Sequence, residues 1–276
     1  GFGSSQRVPV FRLPPLQLGD ATFTTPVFHG VDLRGLSAGR GRRLAGVLGS
    51  SFFGGAAVTL DYAAGRLRLE ANDGFVAPDD ATTLPLEIGI GQPEIKGRLD
   101  GGSELRFMLD TGAEAPLILN APFVQRHELL RDVERLSKAS VIAFHGAVPY
   151  HIASFAELAL GTIAVADVAT VLSAPAEGVG LANDGRRAGI VGSAMLAGRR
   201  VTFDYRRRQV HIGARAADAQ EEALAAPGEH LRHGDLLLDV VAWEFFDFTN
   251  EALNMSEGPS EIDDPLPSLT RICRLD

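Results

Sequence analysis

Cysteine is almost missing: the 276 residues contain one, Cys273. No disulfide can close within the chain, so packing and hydrogen bonding alone must hold it. Aromatic residues are sparse at 7%, with one tryptophan and three tyrosines, which leaves most of the core to aliphatic side chains. Positive charge is short as well. The 26 Lys+Arg against 35 Asp+Glu give a net charge of −9, which argues against nucleic acid or an anionic membrane as a general partner. The arginine-rich spots GRGRR (39–43) and RRR (206–208) read as solvated loops and turns. No apolar run is long enough to span a bilayer. His230-Leu-Arg-His233 has helical metal-ligand spacing, but no acidic or cysteine third ligand stands near it and Gly234 breaks the helix. The sequence therefore predicts no metal and no cofactor. The chain opens on Gly1, and GFGSSQRVPV reads as the interior of a longer polypeptide; a missing leader then says nothing about compartment.

Glycine is plentiful at 31 residues, which favours tight turns and a β-rich fold. Two segments resemble each other. LAGVLGSSFFGGAAVTLDYAAGRLRLE spans Leu44 to Glu70, and RAGIVGSAMLAGRRVTFDYRRRQVHIG spans Arg187 to Gly213. Gly46-Val47-Leu48-Gly49 matches Gly189-Ile190-Val191-Gly192, and Val58–Tyr62 matches Val201–Tyr205 at the same offset. Upstream, residues 14–28 line up with 156–170 with a shift of one residue. Self-similarity of this length predicts two copies of one structural unit. Alternating residues predict strands in both copies, and LPLEIGI (84–90), EIKGRL (94–99) and ELRFML (104–109) are further strand candidates, with Asp100-Gly101-Gly102 as a hairpin turn. Asn120 and Pro122 predict the start of a helix over 122–136. After Gly213 a polar helix is expected over 214–226. An apolar stretch at 234–248, with Trp243, Phe245, Phe246 and Phe248, suits docking on the body. The acidic 254–269 reads as disordered.

FMLDTGAEAPLIL (107–119) sets a carboxylate, Asp110, at the end of an apolar strand and follows it with Thr111-Gly112-Ala113. A buried carboxylate is costly unless something pairs with it. Together with Ile190-Val191-Gly192, this motif resembles the retropepsin-like and pepsin-like aspartic peptidases, and more closely their bacterial relatives with tandem lobes. The resemblance implies a mostly β fold of closed acid-protease barrel lobes in tandem with few short helices. It divides the chain into the later part of a first lobe (1–73), a linker (74–83), a complete second lobe (84–213) and a C-terminal extension (214–276). It also implies hydrolysis of peptide bonds, with a peptide or protein as substrate, and a lean towards an extracytoplasmic location. Asp110 would be catalytic, Thr111, Gly112 and Ala113 would support its loop, and Ile190, Val191 and Gly192 would thread beside it. The segment 141–153 would be the flap over substrate, with Phe144, His145, Gly146 and Tyr150 at its tip and wall. Ala113 stands where many acid-acting relatives carry a hydroxyl residue, so activity is expected to extend towards neutral pH.

The chemistry requires two carboxylates that share one proton, and the second is not evident in the sequence. Asp61 and Asp204 occupy equivalent late-strand places and read as structural, while Asp20, Asp32 and Asp184 lack a following Thr-Gly or Ser-Gly. Counting back by the repeat offset puts the counterpart of Asp110 roughly thirty residues before Gly1. The partner is expected there, or on a second chain, and this piece alone is expected to be inactive as a monomer. Two rival readings keep the fold: a non-catalytic module that binds extended peptide, and a homodimer in which two copies of Asp110 meet. Gly35-Leu-Ser37-Ala-Gly39 has the letters of a serine-hydrolase elbow, but the following Gly-Arg-Gly-Arg-Arg cannot begin the helix that elbow needs, so a loop is expected.

Overall fold

The computed structural model describes residues 9–12, 14–18, 21–23, 27–30, 32–34, 37, 44–89, 92–131, 137–143, 146–173 and 185–216, with short pieces at 232–233, 236–237 and 270–274. The strands are β1 (Val10–Arg12), β2 (Leu16–Leu18), β3 (Ala21–Phe23), β4 (Val27–His29), β5 (Ala56–Asp61), β6 (Arg66–Ala71), β7 (Thr82–Pro85), β8 (Glu87–Gly89), β9 (Gln92–Leu99), β10 (Glu104–Asp110), β11 (Leu117–Leu119), β12 (Ser137–Ala143), β13 (Gly146–Leu160), β14 (Ile163–Leu172), β15 (Gly189–Gly192), β16 (Arg200–Asp204) and β17 (Gln209–Ile212). Helices α1 (Ser50–Phe53), α2 (Ala121–Arg126) and α3 (Ser193–Leu196) are short. The fold is mostly β, as the sequence predicts.

The larger sheet runs β12-β13-β14-β11-β15-β10-β9-β8, and β13 also pairs with β9 through Leu158↔Leu99 and Ala159↔Arg98. That second pairing closes β13, β14, β11, β15, β10 and β9 into a six-stranded barrel. Alternation along each strand fills it. Ile95 and Leu99, Phe107 and Leu109, Leu117 and Leu119, Leu158 and Leu160 all lie in one buried core, whereas Lys96 and Arg98 of β9 point outward to solvent. Closure pairs β13 and β9 with each other and leaves β12 and β8 as the ends of the sheet outside the barrel.

The predicted helix over 122–136 is shorter in the structure. It ends at Arg126, because Glu128 turns to φ 52°, a left-handed conformation that no helix interior accepts. The predicted strand 84–90 divides at Leu86 into β7 and β8, which belong to different sheets. β7 begins at Thr82, inside the expected linker. Most of the 214–276 extension, including the candidate docking stripe at Trp243 and His230 of the candidate metal pair, lies outside the described residues. Thr270–Arg274 is a strand paired antiparallel with β6.

The second sheet is six-stranded, in the order Thr270–Arg274, β6, β5, β16, β17, β7. Its centre is the antiparallel pair β5–β16, which joins the two segments that resemble each other in sequence: Val58 faces Phe203, Thr59 faces Thr202, and Leu60 faces Val201. One face carries Val58, Leu60, Val201, Phe203, Val210 and Ile212 into the core. The other carries a polar row in direct register, Thr83, His211, Thr202, Thr59 and Arg68. The Thr59 and Thr202 hydroxyls hydrogen-bond at 2.8 Å, and Thr83 Oγ1 lies 2.8 Å from His211 Nδ1. Asp61 and Asp204 cap the turns that follow β5 and β16, accepting the N–H of Ala64 at 3.0 Å and of Arg207 at 2.9 Å. These are structural roles, as the sequence predicts for both.

Two predictions follow from the polar row. Thr202→Val strands the buried Thr59 hydroxyl and should cost about 1–3 kcal/mol, while the Thr59→Val/Thr202→Val double variant should recover most of the loss; urea denaturation of the four-member cycle measures it. His211 is held below its ordinary pKa of 6.5, first by burial and then by Arg207, against an opposing pull from Asp204. Its Nε2 also has no hydrogen-bond partner among the described residues, so the imidazolium form would bury an unmet donor. The unfolded chain therefore binds this proton more readily than the folded one. The contribution is full above about pH 6.5 and is lost as the pH falls towards the lowered folded value. Melting temperature should drop between pH 7.5 and 5, and His211→Gln should flatten that part of the profile.

Candidate active site

Alternation along β10 sends Phe107 and Leu109 into the barrel and leaves Met108 and Asp110 on the opposite face. There Met108 packs with Ile190, Ala113 and Ile118. Asp110 ends the strand directly beside Gly192, at the last rung of the parallel β10–β15 pairing. It is 5% exposed. Burying a carboxylate at this depth needs hydrogen-bond donors, and one is the Gly112 N–H, 2.8 Å from Oδ1.

The loop from Thr111 to Pro116 is held on both sides. Ala113 N–H reaches back to the Asp110 carbonyl at 3.3 Å. Ser193 donates twice to the Ala113 carbonyl, from its backbone N–H at 2.7 Å and from its hydroxyl at 2.9 Å. Gly192 N–H donates to the Pro116 carbonyl at 3.1 Å. β11 then runs antiparallel to β15, with Leu117, Ile118 and Leu119 facing Val191, Ile190 and Gly189. β15 thus lies between the two strands that flank the Asp110 loop, parallel to the first and antiparallel to the second. The fit leaves no room for a Cβ at either end of β15. One at Gly189 would stand 2.0 Å from the Ile118 oxygen, and one at Gly192 would stand 2.1 Å from the Ala115 oxygen and 2.5 Å from that of Ala113.

The approach to β15 is fixed by buried polar groups. Arg187 Nη1 donates to Gln92 Oε1 at 2.6 Å and its Nε stands 3.7 Å from Glu94 Oε1. Ala188 N–H donates to the Arg106 carbonyl, and Asn120 N–H to the Ala188 carbonyl, each at 2.9 Å. Arg187, Gln92 and Glu94 are all buried, so the pairing offsets a desolvation cost that each would otherwise carry alone.

Of the residues singled out in the sequence, Asp110, Thr111, Gly112 and Ala113 stand together with Ile190, Val191 and Gly192. Val191 points into the barrel core and Ile190 to the face that Met108 occupies. β12 and β13 form the hairpin expected of the flap, joined from Ala143↔Gly146 to Ser137↔Ile152. Gly146 is its last paired residue, and Tyr150 is half-buried on β13 opposite Ala139. Phe144 and His145 lie outside the described residues. Ser193 was not singled out from sequence, yet it makes the shortest bonds to the loop. The available signal was Ser50, which follows Gly49 as Ser193 follows Gly192.

Gly192→Ala should destabilise the chain by about 3 kcal/mol or more, because the added methyl meets backbone oxygens that have no room to retreat. Ser193→Ala should cost about 1 kcal/mol through the lost hydroxyl bond. Guanidinium titration of both variants checks the ranking.

Residues 95–195 match the family model described as aspartyl protease. No curated protein matches the chain. Among solved structures, basic 7S globulin from soybean aligns at 16% identity with a TM-score of 0.31, covering 62% of this chain. The chain spans 56% of the length of that protein.

Proposed function

From an aspartyl-protease-family lobe at residues 95–195, we propose that this chain provides one half of an aspartic endopeptidase, with Asp110 as one of two carboxylates that split water across a peptide bond. The observation that carries the reading is a buried aspartate at the end of β10, on a loop pinned by Gly192 and Ser193, within the stretch that the family model matches. A rigid loop suits the chemistry, because a general base must be aimed before the substrate arrives.

In the proposed reaction one carboxylate of the pair is ionised and the other protonated. The ionised group takes a proton from water, whose oxygen attacks the carbonyl carbon. The protonated group donates to the carbonyl oxygen as the tetrahedral intermediate forms. Breakdown of the C–N bond then returns a proton to the departing amine, leaving a free carboxyl and a free amine. The two groups titrate as a pair, so neither has a value of its own. The second carboxylate lies outside these 276 residues. The β12–β13 hairpin, with Gly146 and Tyr150, serves as the flap over an extended peptide.

The tandem-lobe reading places residues 1–73 as the later part of one lobe and 84–213 as a whole second lobe. Local geometry supports it. Gly49 and Gly192 share φ −102°, with ψ −173° and −176°, and each precedes a four-residue helix. The β2–β3 hairpin closes at Leu18↔Ala21 much as β13–β14 closes at Leu160↔Ile163.

Cleavage of an unfolded protein by an assembly that contains both carboxylates, with products mapped by mass spectrometry, tests the proposal. Asp110→Asn should lower the rate by about a thousandfold and leave the melting temperature within a few degrees. Hydrolysis that persists undiminished in Asp110→Asn would remove Asp110 from the mechanism.

A further inference from the structure

The polar face of the six-stranded sheet holds a cleft that the proposed reaction does not use. It has a volume of about 200 Å³, and every residue that lines it is described. None of them belongs to the Asp110 loop or to the β12–β13 hairpin. His211 and Thr202 line it from the sheet, Ala63, Pro78, Ala81 and Ala214 give it apolar walls, and Asp61, Asp80 and Arg200 give it charge.

Charge, hydrogen bonding and shape each restrict what the cleft can take. Arg200 is committed to Asp61, donating to Oδ2 from Nε at 3.2 Å and from Nη2 at 3.0 Å. Asp80 is exposed and makes no ion pair with a described residue. Two carboxylates against one guanidinium leave one negative charge uncompensated, which repels an anion and attracts a cation. His211 is 2% exposed. Its Nδ1 is turned to Thr83 of β7, 2.8 Å away. That leaves the Cδ2–Nε2 edge for the β16 side, where Thr202 faces His211 across the sheet. Nε2 has no hydrogen-bond partner among the described residues. The ring is held below its ordinary pKa by burial, and when Nδ1–H donates to the Thr83 hydroxyl, the neutral imidazole presents Nε2 as an acceptor. Among the described residues no group of three His, Cys, Asp or Glu side chains could hold a metal ion. The alanine and proline walls suit a methylene chain better than a hydrated ion.

We propose that this cleft binds an aliphatic primary ammonium, which donates to His211 Nε2 and to the Asp80 carboxylate while its methylene stem lies along Ala63, Pro78, Ala81 and Ala214. A small free amine and a lysine side chain present the same head and stem. The ligand gives the buried imidazole a partner at the centre of the sheet that joins the two similar segments. Binding to the folded chain alone therefore stabilises that sheet.

Titration of the 276-residue chain, labelled with nitrogen-15 in its histidine rings, tests the site at pH 7.5 and low salt. The probes are putrescine and Nα-acetyl-lysine amide, with acetate as the anionic control. Either amine should shift the His211 ring nitrogens to the Nδ1–H pattern, leave the other histidines in place, and raise the melting temperature by a few degrees. The tighter of the two identifies the source as a free amine or a lysine side chain. Asp80→Asn, a change at an exposed position, should weaken binding about tenfold, and His211→Phe should abolish the rise in melting temperature. Asp110→Asn should bind as the parent does, which separates this cleft from the proposed active site. The proposal is overturned if neither amine moves the His211 signals, if acetate moves them equally, or if Asp80→Asn binds as tightly as the parent.

Discussion

Everything near Asp110 depends on β15 fitting between β10 and β11. A strand that is parallel to one neighbour and antiparallel to the other needs backbones in close contact where the connecting loop passes over it. Glycine at 189 and 192 permits that contact, since any side chain would overlap carbonyl oxygens. The contact in turn satisfies the loop: Gly192 donates to Pro116, and Ser193 donates twice to Ala113. A loop held in this way keeps a buried carboxylate in one orientation, which a freely moving turn could not do. Stability and the orientation of Asp110 share a cause, because the hydrogen bonds that fix the loop also fix Asp110.

The six-stranded sheet applies a similar constraint at larger scale. Its central pair, β5 and β16, comes from segments far apart in sequence but matched in pattern. Thr59 and Thr202 meet at the centre as equivalents and hydrogen-bond to each other. Around that point the sheet is close to symmetrical: each central strand is followed by an Asp-capped turn and by an antiparallel return strand. The apolar face seals the core and the polar face specifies register, because sliding either strand by one residue would exchange the two.

Much of this was legible in the sequence. The strand candidates at 94–99 and 104–109 correspond to β9 and β10, and Asp100-Gly101 predicted the turn between them; both residues take positive φ there. The setting of Asp110 was legible because its motif lies between two apolar strands and has a distant apolar-apolar-Gly counterpart. What escaped depended on contacts between remote parts of the chain. Ser193 bonds a backbone carbonyl eighty residues away, and no local pattern specifies that. The end of α2 at Glu128 is a backbone turn in a stretch whose helical spacing continues past it. The division at Leu86 was hidden because β7 and β8 form one apolar run, and only their partners, β17 and β9, separate them.

The polar row bears on the conditions in which the fold is stable. A neutral His211, buried against Phe75 with ring centroids 5.5 Å apart, sits in the sheet that joins the two segments. Protonating it would place a charge one rung from the Thr59–Thr202 pair, at the joint itself. The fold therefore favours conditions in which that ring stays neutral.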